Sequence, residues 1–142
     1  MSLFATLYTS APSSLGDVAV AAFPGLHSTV EVDRVRIQTN AMEASIAYRT
    51  APNFDLELFG FNSSISIYFA IDKQHSVEAR SQLARAVSGF LNSTSADVAV
   101  LHLDTLVLKR LGKDAVCAQA YVDMLPEGGI GWTVVPMLEQ PE

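Results

Sequence analysis

The sequence predicts an α+β fold: an antiparallel sheet with two helices packed on one face, in the order β-α-β-β-(β)-β-α-β-β-β-β. Three observations lead there. Two segments carry apolar residues at helical spacing, and each is followed by a run of segments that alternate apolar and polar residues. Turn residues join those segments too closely for parallel crossovers. Helices and strands do not alternate strictly, which separates this pattern from a parallel α/β sheet. At 142 residues, 49% apolar and 17% charged, the chain is expected to form a single domain and to bury about two-thirds of its unfolded surface.

Residues 2–10, SLFATLYTS, alternate Leu3, Ala5 and Leu7 with Phe4, Thr6 and Tyr8, as a strand does. A short alanine-rich helix follows, capped by Ser13 or Ser14, with Asp17 near its positive end and Pro24-Gly25 stopping it. In TVEVDRVRI, Val30 and Val32 share a face, and Val35 and Ile37 resume the pattern after one extra residue. That slip at Asp33-Arg34 reads as a β-bulge. Residues 43–49 form the return strand of an antiparallel hairpin. Residues 50–64 are too apolar for a free linker, and read as a packed loop or an irregular strand broken by Pro52 and Gly60.

SISIYFAID, residues 64–72, alternates without a fault. Ile65, Ile67, Phe69 and Ile71 form its dry face. The amphipathic helix HSVEARSQLARAVSGFLNS, with Ser76 as its N-cap, should cover them. The other face, with Ser64, Ser66, Tyr68 and Ala70, is wetter. Asp97 to Val122 then reads as strands in series, turning at Asp104-Thr105 and at Gly112-Lys113-Asp114. One long bent strand from Asp97 to Leu111 is the alternative. PEGGIG is a loop, WTVVPML a last strand, and EQPE a frayed acidic tail.

Chemistry is sparse along this chain. A lone Cys117 excludes an internal disulfide and a cysteine zinc cage, and fits a reducing, cytoplasmic setting. The N-terminus has no basic, apolar leader, and no apolar run approaches the roughly 20 residues that span a bilayer. A net charge of −6 argues against nucleic acid. His27, His75 and His102 have no metal-ligand spacing, and His102 in its apolar strand is the least easily explained of the three. Neither a phosphate-binding loop nor a nucleophile elbow is present. The sequence therefore points to no cofactor and no metal, and to a binding protein rather than an enzyme.

ISIYFAIDK, then EARSQLARAVSGFL, then DVAVLHLDTLVLKR, spanning residue 64 to about residue 110, resemble the Sit-type immunity proteins, a myxobacterial family that protects cells against toxins passed between kin. The first 60 residues add nothing to the resemblance. It implies a non-catalytic protein that binds a cognate toxin and occludes it, with the acidic balance suiting a basic toxin. The partner-binding residues would be Tyr68 on the wetter sheet face, or the acids Glu31, Asp33, Asp55 and Glu57. Two other readings stay open. A small acidic secretion chaperone would expose an apolar groove, and a small-molecule-binding domain would have a pocket lined by Phe59, Phe61 or Trp132.

Overall fold

The computed structural model describes residues 3–49, 55–126 and 129–140. It is a mixed α+β fold built on one large, mostly antiparallel sheet. The strands are β1 (Leu3–Thr9), β2 (Thr29–Val30), β3 (Arg34–Gln38), β4 (Met42–Tyr48), β5 (Ile65–Ile71), β6 (Val98–His102), β7 (Thr105–Leu111), β8 (Asp114–Ala118) and β9 (Thr133–Val135). They lie in the order β2-β3-β4-β5-β1-β6-β7-β8-β9. The N-terminal strand is thus central, paired antiparallel with β5 on one side and β6 on the other.

Helices α1 (Leu15–Ala22) and α3 (Ser76–Ser93) send Leu15, Val18, Leu83, Val87 and Phe90 into one buried cluster with Leu7, Ile37, Ile46, Ile65, Ile67 and Phe69. Every second residue of β5 enters that cluster. Gly89 is where the two helices touch: a Cβ there would lie 2.7 Å from the Ala21 carbonyl oxygen. A 3₁₀ segment, Gln119–Met124, adds the fully buried Met124 to the same core. Among the described residues no helix is long and apolar enough to cross a membrane.

Caps hold the helices in place. Ser14 accepts from the Asp17 amide at 3.1 Å and caps α1. For α3 the expected Ser76 cap is not used, because a 3₁₀ turn, Lys73–His75, precedes the helix and Asp72 caps that turn through the Gln74 amide at 2.9 Å. The far end of α3 is closed by Arg110 of β7. Its guanidinium donates to the Leu91, Thr94 and Ala96 carbonyls, the shortest of these bonds being 2.7 Å. A cation is favourable at that end of the helix dipole.

Four local expectations are corrected. The slip at Asp33-Arg34 is not a bulge but a reversal: β2 and β3 are separate antiparallel strands, closed by the Glu31 amide donating to the Arg34 carbonyl at 2.8 Å. A bulge lies instead between β6 and β7, where the register shifts at Val100/Leu101 and lets both Val107 and Leu108 be buried in the main core. Asp55–Phe59 forms a short helix, α2, rather than a loop or strand. Finally, β8 ends at Ala118, and β9 joins it in parallel rather than antiparallel.

Candidate partner-binding face

The face of the sheet turned away from α1 and α3 is covered on one side only. Over β1, β6, β7 and β8 a second buried cluster forms, in which Phe59 of α2, Phe61 and Leu138 pack on Ala99, Leu106 and Ala118. Phe59 stacks on Tyr8 at 5.3 Å, and the Arg49 guanidinium sits 4.7 Å from the same ring. Gln140 fastens the C-terminal segment by accepting from the Leu106 amide at 2.7 Å and donating to its carbonyl at 3.1 Å. Phe59 and Phe61 are therefore consumed by packing, and Trp132 leans on the main core.

The other side of this face is open. Tyr68 stands there, 45% exposed, with Thr6 of β1 and Ser45 of β4 as its cross-strand neighbours. Its ring stacks on Phe4 at 6.0 Å, with 24° between the planes. Ser66, Ala70 and Ala47 surround it with half-buried small side chains. An aromatic standing above small neighbours, fixed by a second ring, is the arrangement that anchors protein interfaces. Ser64 does not belong to this surface: its hydroxyl is taken by the Ala11 carbonyl at 2.9 Å.

The acids flank the face in two groups. Glu31 accepts from Arg36 at 3.4 Å, and the same guanidinium is bonded to Glu43. Those hydrogen bonds, Glu43's first, raise the Arg36 pKa above its ordinary value. Asp33, strongly exposed, lies 3.5 Å from Arg34. Asp55 and Glu57 are in α2, a helix and not an extended strand, so the strand on which they were expected to share a face is absent. Glu57 is exposed. α2 lies over β1, and β2 is four strands away in the sheet, so the two pairs belong to different parts of the molecule.

Phe4, Glu43 and Arg36 are part of this surface and escaped sequence reasoning. Their signal was cross-strand register, which alternation within one strand cannot supply.

On the helical side, His102 Nδ1 lies 2.7 Å from the Tyr121 hydroxyl. Arg80 crosses the Tyr121 ring at 4.7 Å and grips Asp123 through both oxygens at 2.8 and 2.9 Å. This cluster staples the 3₁₀ segment to α3 and accounts for a histidine in an apolar strand. Burial, with Arg80 adding to it, lowers the His102 pKa. Cys117 is fully buried, and its thiol is pushed up to about 11, chiefly by desolvation. Among the described residues no three His, Cys, Asp or Glu side chains gather in a way that could hold a metal ion.

The model of the SitI3-like family matches residues 6–123. That span begins in β1 and ends in the 3₁₀ segment, so it takes in residues 6–60 as well, a stretch that adds nothing to the resemblance on its own. No curated protein and no solved structure matches the chain. With the match covering most of the 142 residues, the chain belongs to the SitI3-like family, a family of toxin-immunity proteins that are generally non-catalytic.

Proposed function

We propose that this protein is the cytoplasmic immunity partner of one bacterial toxin, and that as a single folded unit it neutralises that toxin by binding and occluding it, without catalysis. The open half of the sheet is the contact surface in this reading, and the observation that carries it is Tyr68. A ring stacked on Phe4 and ringed by Ser45, Ser66, Thr6 and Ala70 offers a raised anchor on a flat bed, while the same sheet face is roofed elsewhere by α2 and the C-terminal segment. Glu31 and Asp33 on one flank, and Asp55 and Glu57 on the other, would steer a basic toxin such as a nuclease toward it.

Co-expression with the toxin encoded beside its gene tests this. A stable complex and rescue from growth arrest are expected. Tyr68→Ala should then weaken the complex about 30-fold or more, as loss of a hot-spot aromatic does, while the fold loses only the stacking on Phe4, worth about 0.5–1.5 kcal/mol, so the melting temperature falls by a few degrees and the protein stays folded. Reversing the charge of Glu31, Asp33, Asp55 and Glu57 should slow capture. Absence of any complex removes occlusion; an intact complex with Tyr68→Ala moves the contact off this face.

A further inference from the structure

We infer that a second site, on the helical side of the molecule and separate from the toxin-binding face, holds a small amphipathic carboxylate: an organic acid with an apolar body and a single negative charge. A cleft of about 500 Å³ opens between the end of α1, the middle of α3 and the turn joining β3 to β4. That volume lies within the range of sites for small organic ligands, roughly 300–1,000 Å³.

Its walls are set by two joints. At one, Gly89 lets α3 meet α1 backbone to side, at the Ala21 carbonyl. At the other, the β3–β4 turn is tied to α3: Thr39 donates to Gln82 at 2.5 Å, Gln82 donates to Asn40 at 2.9 Å, and Asn40 donates to Glu78 at 2.7 Å. The span between these joints is where α1 gives way to Phe23, Pro24 and Leu26, which line the hollow with apolar surface. Gln82, Arg85, Ala86 and Gly89 recur at the spacing of one helix stripe, so α3 turns a single face to it.

Charge selects the ligand. Among the described residues no acidic side chain lines the cleft, and the nearby Glu78 is occupied by Asn40. Arg34, Arg36 and Arg80 are paired with carboxylates, Arg110 with carbonyls, and Arg49 lies on Tyr8. Arg85 is the arginine with no hydrogen-bond or ion-pair partner among the described residues, and it stands at the mouth of an apolar hollow. A carboxylate would meet its planar fork in two parallel hydrogen bonds while the apolar body fills the space beside Phe23 and Leu26.

The test is a titration of ¹⁵N-labelled protein with octanoate, octan-1-ol and octylammonium at neutral pH. Octanoate should give saturable shifts at the amides of Thr39, Gln82, Arg85 and Gly89, with the alcohol binding at least about tenfold more weakly, as expected for loss of a charged hydrogen bond. Octylammonium should not saturate. Arg85→Gln, at an exposed position that leaves the fold intact, should remove the preference for the acid, and Arg85→Lys should keep most of it. Equal affinities for acid and alcohol, an octanoate titration unchanged by Arg85→Gln, or shifts that spread without saturating would each overturn the site. Toxin binding is not part of the readout, so this outcome is independent of the immunity reading.

Discussion

Two titratable side chains inside the fold set opposite limits on its pH range. Cys117 is raised to about 11 by burial, so its stabilising contribution is full below the unfolded thiol's pKa, near 8.5. It is lost as pH rises from there toward the folded value. His102 is lowered by burial and by Arg80, so its contribution is full above the ordinary histidine value of about 6.5 and is lost as pH falls through the lower folded value. Urea midpoints measured across pH should decline at both ends; Cys117→Ala should flatten the alkaline limb and His102→Gln the acid one. A midpoint that tracks neither substitution would place the titration elsewhere. Of these two residues, the sequence disclosed Cys117, whose apolar neighbours in the chain are also its surroundings. It hid the role of His102, because Tyr121 and Arg80 reach it from other elements.

At the level of elements, alternation and caps were legible wherever one side of a segment meets the core. β1, β4, β5 and α3 follow their sequence patterns closely. Reading failed where geometry depends on a partner. One extra residue at Asp33-Arg34 is compatible with either a bulge or a reversal, and only the pairing of Thr29 with Arg36 decides it. The apolar run around Phe59 is strand-like in composition, but it roofs the sheet instead of joining it, and a helix satisfies its backbone there.

The β6–β7 hairpin is a third such case. Its turn is Leu103-Asp104, and both residues have positive φ, at 51° and 64°. Leucine is poorly suited to that conformation, which costs a non-glycine residue roughly 1–2 kcal/mol. Replacing the pair by Asn-Gly, the usual choice for this turn, should stabilise the protein by about 1–2 kcal/mol in urea unfolding. A midpoint that stays put or falls would show that Leu103, exposed at 48%, contributes packing that outweighs the strain.

For the molecule as a whole, the fold class was legible from the order of patterns, and the proposed binding face was not. That face exists because α2 and residues 133–140 cover one half of the sheet and leave the other half bare, an arrangement of distant segments. Net charge, by contrast, is a property of the entire chain and can be read directly. At −6, it predicts that the proposed capture of a basic toxin slows as salt rises, because the screening length shrinks from about 30 Å at 0.01 M to about 8 Å at 0.15 M. Stopped-flow association should slow by about tenfold across that range with little change in dissociation. A flat association rate would take long-range attraction out of the mechanism.

The central position of β1 bears on timing. Its pairing strands, β5 and β6, end at residues 71 and 102, so β1 leaves the ribosome well before either neighbour exists to pair with it, and β6 arrives later still. Contacts that far apart in sequence slow folding. Synthesis at about 5–20 residues per second adds several seconds before the middle of the sheet can close. In the immunity role proposed above, a cell that begins making this protein only when the toxin arrives would stay unguarded through that interval, and protection would depend on a standing stock, already folded.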